Sequence, residues 1–151
     1  MQLFKDIREV FDFAIDREEA SYRLYTKAAG MAASTASRKM LEEMAEQELG
    51  HKRLLQGMDR EKVHEYRFIK VPDLKIGDYL VDVEYRDDMT FREILVFAMK
   101  AEEKAVRLYS EASHLTDVPE IQRMLLMLAN EEKKHKFNLE SLYDDKILSE
   151  N

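Results

Sequence analysis

Apolar residues recur every three or four positions along most of the chain, the spacing that keeps one face of a helix buried. Asp6 and Thr90 each stand three residues before a Glu, a capping pattern that marks a helix start, and Pro119 suits the first turn of another helix. The pattern predicts four helices, over about 4–30, 34–57, 90–115 and 118–143. Short connections make the first two and the last two helices antiparallel hairpins, 4–57 and 90–143.

Residues 58–89 join the two predicted hairpins. This stretch contains Pro72 and Gly77, but its many aliphatic and aromatic residues make it too apolar for a disordered linker. We expect a long crossover packed along the bundle, with a short helix near 76–82. The sequence therefore predicts one all-α domain over residues 1–151, an antiparallel four-helix bundle.

The two hairpins are copies of one motif at a constant offset of 84 residues. Residues 14–29 align with 98–113, and residues 40–55 align with 124–139, with no insertion between the matched blocks. Four matched pairs have side chains that can bind a metal ion or transfer a proton: Glu18 with Glu102, Tyr25 with Tyr109, Glu48 with Glu132, and His51 with His135. The offset predicts an internal two-fold repeat.

The matched glutamates lie on the apolar faces of their helices. Positions three, four and seven residues from Glu18 are mainly apolar, among them Ala14 and Tyr25, whereas Glu19 shares its face with Asp12. The same count selects three more inward-facing acids: Glu48, Glu102 and Glu132. We therefore expect four carboxylates in the core.

Composition and charge narrow the function classes. The net charge of −7 argues against nucleic acid or an anionic membrane as the main partner. The longest apolar runs, Ile94 to Met99 and Met124 to Ala129, are six residues, too short to span a membrane. The chain has no Cys, which excludes thiolate metal sites and Cys nucleophiles and fits a cytoplasmic location. The first ten residues carry charges where a signal peptide needs an apolar stretch.

Four carboxylates in one core need compensating charge, because burial of a lone ionised carboxylate is very costly. The apolar faces hold too few basic residues to supply it, and Lys52 and Lys136 are expected near helix ends, within reach of solvent. Two divalent ions would balance the four negative charges.

The spacing of the histidines supports a two-metal site. Glu48 and His51 are three residues apart, as are Glu132 and His135, so each pair offers an oxygen and a nitrogen to one ion from one helix face. Two glutamates on the other helices would complete the cage: Glu18 and Glu102.

As a set, these residues resemble the ferritin-like di-iron carboxylate proteins, closest to the rubrerythrin and bacterioferritin branch, over residues 6–56 and 90–140. That family takes a Glu from each of two helices and Glu-x-x-His from each of the other two. The resemblance implies a ferritin-like bundle holding two iron ions, with manganese or zinc as alternatives. The implied ligands are Glu18, Glu48, His51, Glu102, Glu132 and His135.

The resemblance also implies roles around the metals. Glu48 and Glu132 would bridge or share the two ions, and Tyr25 and Tyr109 would act beside the ligands, although core packing explains both tyrosines equally well. Two departures weigh against rubrerythrin-type peroxidase activity. The chain has none of the cysteines of a rubredoxin-like module, and Ala105 stands where peroxide-reducing rubrerythrins use an extra Glu.

The implied function is an oxidoreductase that passes electrons from two ferrous ions to dioxygen or peroxide. A separate electron donor is expected, because the chain has no Cys of its own. Three alternatives stay open: an iron-binding or storage protein, a metal-free structural bundle with protonated acids, and a di-manganese catalase-like or hydroxylase-like enzyme. We also expect a homodimer or higher homo-oligomer.

Overall fold

The computed structural model describes residues 6–150, and the side chains of residues 6–145. Over this range the chain forms helices and no β-strand, and none of these helices is long and apolar enough to cross a membrane. The α-helices are α1 (Ile7–Met31), α2 (Thr35–Gly57), α3 (Arg60–Glu65), α4 (Phe91–Ala112) and α5 (Pro119–Glu150). The predicted all-α, ferritin-like bundle is confirmed.

The helix starts follow the predicted caps. The Asp6 carboxylate accepts the Glu9 backbone N–H at 3.0 Å, which caps α1. Thr90 and Glu93 form a reciprocal capping box at the start of α4, with distances of 3.1 and 3.0 Å. The ends are less well predicted, because α4 gives way to a 3-10 turn after Ala112 and α5 continues to Glu150.

Two apolar clusters fill the bundle, one towards each end. The first joins the C-terminal half of α1 to the N-terminal half of α4, through residues such as Tyr25 and Leu95. The second joins the N-terminal half of α1 to the C-terminal half of α4, through residues such as Val10 and Tyr109. Helices α1 and α4 therefore run antiparallel, and the section between the clusters lies at mid-bundle.

The crossover packs along the bundle, as predicted, and a 3-10 helix at Ile76–Tyr79 stands where a short helix was expected near 76–82. The crossover also contains the unpredicted helix α3. Asp59 caps α3 by accepting two backbone N–H groups. Asn130 on α5 bonds both backbone groups of Ile69, at 3.2 and 2.9 Å, and its side-chain oxygen accepts the Tyr66 hydroxyl at 2.9 Å. These contacts hold an extended segment that has no helical pattern of its own.

A buried hydrogen bond and a partly exposed ion pair hold the second half of the crossover. Glu140 on α5 is 0% exposed and accepts the Gly77 backbone N–H at 3.2 Å. Lys136, one turn earlier, pairs with Asp73 of the crossover at 2.8 Å. The expectation that Lys136 lies near a helix end, within reach of solvent, is wrong, because α5 runs on to Glu150 and leaves Lys136 buried in mid-helix.

Candidate metal centre

The six residues predicted as ligands meet at mid-bundle between the two apolar clusters. All four inward-facing glutamates are 0% exposed, and His51 and His135 are 7% and 1% exposed. The side chain of Glu19 remains 28% exposed, as the face count predicts. The local reason is helical periodicity, since each ligand occupies the buried face of a long helix.

The six side chains form two overlapping groups of four. In each group, one oxygen or nitrogen from every member lies within 4.8 Å of the others. The first group is Glu18, Glu48, His51 and Glu132, and the second is Glu48, Glu102, Glu132 and His135. Glu48 and Glu132 belong to both groups, which is the arrangement that two bridging carboxylates require.

Each of the six side chains also points one unpaired atom into these groups. The unpaired atoms are Glu18 Oε2, Glu48 Oε1, His51 Nδ1, Glu102 Oε2, Glu132 Oε1 and His135 Nδ1. The two imidazole Nδ1 atoms lie 3.2 and 3.1 Å from Glu48 Oε1 without hydrogen-bond geometry. Buried polar atoms are nearly always paired, so six convergent unpaired ligand atoms fit two bound cations.

Gln47 fixes the orientation of one imidazole. Its side-chain oxygen lies 2.7 Å from His135 Nε2 and accepts the ring N–H, which leaves Nδ1 as the free electron-pair donor facing the carboxylates. Gln47 was not predicted, because it is exposed on α2 and its counterpart at the repeat offset is Glu131.

The two tyrosines make equivalent contacts across the repeat. Tyr25 donates its hydroxyl to Glu102 Oε1, and Tyr109 donates to Glu18 Oε1, both at 2.5 Å. Burial raises the pKa of both phenols well above its usual value, so each keeps its proton. Both tyrosines therefore belong to the core and also hydrogen-bond a predicted ligand.

Arg17 is a site residue that the sequence reasoning missed. Its guanidinium contacts all four buried carboxylates, with distances of 3.3 Å to Glu18, 3.1 Å to Glu48 and 2.8 Å to Glu102, and a close contact to Glu132. Too few basic residues were expected on these faces, and Arg17 adds one that was not counted; its single positive charge balances only one of the four carboxylates. The helical spacing of apolar residues around position 17 indicates that Arg17 faces the core.

Arg17 shares its helix face with residues that prove to be buried. Val10, Ala14 and Leu24 stand seven, three and seven positions away and belong to the apolar clusters. The counterpart of Arg17 at the repeat offset is Ala101, so this cation breaks the symmetry of the site. Its side chain is only 12% exposed.

Burial, Arg17 and the contacts between the histidines and the glutamates set the pKa values in the cluster of buried acids. Burial alone would raise the pKa of Glu48, but Arg17 holds it well below its usual value, whereas burial raises the pKa of Glu102. Burial lowers the pKa of His51, yet its contacts with Glu18 and Glu48 outweigh this and raise it to about 9. A metal ion at His51 therefore has to replace a proton.

Comparison with known proteins finds a family match in the second half of the chain. Residues 93–151 match the rubrerythrin family model. This segment includes most of α4 and all of α5, and the predicted resemblance to the rubrerythrins is confirmed there. It carries three of the predicted ligands: Glu102, Glu132 and His135.

A solved structure supports the fold over most of the chain. A hypothetical protein from Pyrococcus furiosus is similar with a TM-score of 0.69 and 23% identity, over 93% of this chain and 89% of that one. At this identity the likeness shows a shared fold alone. No curated protein matches the chain.

The other half of the site comes from outside the rubrerythrin segment. Glu18, Glu48 and His51 lie on α1 and α2, where the repeat offset places the same motif. Ala105, inside the rubrerythrin segment, is 3% exposed and adds no further carboxylate to the cluster. The candidate ligand set thus draws equally on both copies of the repeat.

Proposed function

We propose that this protein binds two metal ions, iron in preference to other metals, and reacts with dioxygen or peroxide. The observation that carries the proposal is the pair of overlapping ligand groups, in which six unpaired atoms converge. Carboxylates with imidazole suit iron or manganese better than copper, and they also accommodate zinc. The proposal takes the six predicted residues as the ligands and the 151 residues as one domain.

The chain's own groups have separate tasks in this proposal. Glu48 and Glu132 would share both ions, because each belongs to both groups. Tyr25 and Tyr109 hold a proton against an oxygen of Glu102 and of Glu18, which fixes these carboxylates and keeps a proton donor beside the site. The apolar clusters on either side keep bulk water away. Two ferrous ions bound there would supply the electrons that reduce dioxygen or peroxide.

The remaining parts of the function are also proposals. The ions would be reduced again by a separate donor, because the chain has no Cys to carry a redox centre. A cytoplasmic location and a homo-oligomeric state stay predictions. The net charge of −7 argues against nucleic acid as the main partner, an inference from sequence alone.

Anaerobic loading with ferrous iron, followed by stopped-flow mixing with dioxygen or hydrogen peroxide, tests this function. We expect a near-ultraviolet ferric band that develops faster than in protein-free ferrous solution. Glu132→Ala should abolish the acceleration, because it removes a member of both ligand groups. Wild-type oxidation no faster than that of free ferrous iron would refute the proposal. A large hollow oligomer by light scattering would instead favour storage.

A further inference from the structure

A cavity of about 660 Å³ lies between α1 and α4, directly beside the acid cluster. This volume is typical of sites for small molecules. Arg17 belongs to both features, since it lines the cavity while its guanidinium contacts the buried glutamates. The side chain of Arg17 therefore separates the cavity from the candidate metal centre.

The walls of the cavity are apolar and come from both copies of the repeat. Phe13 and Phe97 are counterparts at the 84-residue offset, and so are Leu24 and Leu108. Small residues keep the space between these walls open: Ala20, Ser21, Ala101 and Ala105. An elongated apolar group fits such a slot, because burial of its surface is favourable and no bulky side chain fills the centre.

The charged residues that line the cavity are all basic. They are Arg17, Arg23, Lys27 and Lys104, and no Asp or Glu is among the described residues of the lining. This is unusual in a chain with a net charge of −7. Arg17 lies at the buried end of the cavity, against the acid cluster, so the basic rim consists of Arg23, Lys27 and Lys104. A basic rim around an apolar slot is complementary to an anion with an apolar body.

Lys27 is the rim cation best placed to bind an anionic group. Its ammonium donates to the Tyr85 hydroxyl at 3.2 Å and to the Asp87 backbone carbonyl at 2.8 Å. Both partners are uncharged, so among the described residues no carboxylate pairs with this ammonium. Arg23, by contrast, is already paired with Glu19 at 2.9 Å.

We propose that the α1–α4 cavity binds an amphiphilic monocarboxylate, an unbranched apolar chain with one carboxylate end. The carboxylate pairs with Lys27, beside the Tyr85 hydroxyl, and the chain lies along Ala20 and Ala101 towards Arg17. Ten helical residues separate Lys27 from Arg17, roughly 15 Å, a length that a medium-chain fatty acid spans. The proposal goes beyond the metal function and does not depend on it.

A second copy of the chain is a poorer occupant of this cavity. In a two-fold dimer closed over this face, the basic rim would lie against its own copy, and like charges in contact oppose association. A single anionic amphiphile satisfies the apolar walls and the basic rim together.

Isothermal titration calorimetry of metal-free protein tests the proposal, with dodecanoate and dodecanol as matched probes below their aggregation limits. We expect dodecanoate to bind more tightly than dodecanol. Lys27→Gln should weaken the binding of dodecanoate by about tenfold, the usual effect of a lost charge-assisted hydrogen bond. The same variant should leave the binding of dodecanol unchanged. Ala101→Phe should abolish binding of both probes by filling the slot. Lys39→Gln, an exposed lysine on α2, is the matched control.

Each other outcome overturns the proposal. Equal binding of the two probes, or no effect of Lys27→Gln, would show that the carboxylate does not pair with Lys27. Binding that survives Ala101→Phe would place the probe elsewhere. No binding, together with a dimer that Ala101→Phe dissociates, would assign the cavity to self-association. Ala20→Leu replaces Ala101→Phe if that variant does not fold, and a separate metal titration reports on the metal centre independently.

Discussion

Arg17 takes the place of a metal ion in the charge balance of the metal-free protein, so its replacement should matter most in that state. Arg17→Met keeps an unbranched stem and removes the guanidinium that contacts all four buried carboxylates. Breaking a buried ion pair by removing one partner costs about 3–5 kcal/mol, because the other charge is left uncompensated. For a domain of this size, each kcal/mol lowers the melting temperature by roughly 2–4 °C. We therefore expect a fall of roughly 6–20 °C.

Thermal unfolding followed by circular dichroism, with and without excess metal, checks this prediction. Metal ions compensate the same carboxylates, so the loss should shrink in the metal-loaded variant, and metal should raise its melting temperature more than it does in wild type. Arg23→Met is the matched control, since Arg23 is on the same helix but its side chain is 77% exposed. That control should change stability by less than about 1 kcal/mol. An Arg17→Met protein with wild-type melting temperature, or an equal loss with and without metal, would refute the reasoning.

Three further predictions concern residues around the site and the crossover. Gln47→Leu should weaken metal binding about tenfold by releasing the His135 ring, as measured by chelator competition, while the metal-free melting temperature stays unchanged. Glu140→Ala should destabilise the protein by about 1–3 kcal/mol in urea unfolding, because it leaves the buried Gly77 N–H without its acceptor, while Lys136 keeps its pairing with Asp73. The pKa of Glu93 is lowered to about 2 by its capping bond and an arginine, so its stabilisation is present above pH 4.5 and lost as the pH falls towards 2. The melting temperature of Glu93→Gln should therefore be below wild type at pH 7 and approach it in acid.

The inward-facing acids could be predicted because helical periodicity reports directly which face of a helix is buried. Glu18 and Glu19 are neighbours in sequence, yet they differ from 0% to 28% side-chain exposure, as the apolar spacing requires. The repeat supports the same prediction a second time, since the same positions recur 84 residues later as the inward-facing Glu102 and its neighbour Glu103. The family match was consistent with this reading in the second copy.

Other features could not be predicted because they depend on long-range contacts. The crossover is held by Asn130 and Glu140 on α5, which have no sequence relation to the segments that they bind. The end of α5 was placed too early because no Gly or Pro after residue 143 marks a stop, so local sequence carries no boundary. The buried face of Arg17 can be read from Val10 and Ala14, but the contact of its guanidinium with all four carboxylates depends on how the helices pack and could not be predicted.

A two-metal site shared by both copies of the repeat should bind two ions per chain, which anaerobic titration of metal-free protein with ferrous iron measures. We expect saturation at two ions per chain. Either Glu48→Ala or Glu132→Ala should weaken the binding of both ions together, because each residue belongs to both ligand groups. Saturation at one ion per chain, or two ions retained when both glutamates are replaced, would contradict a shared two-metal site.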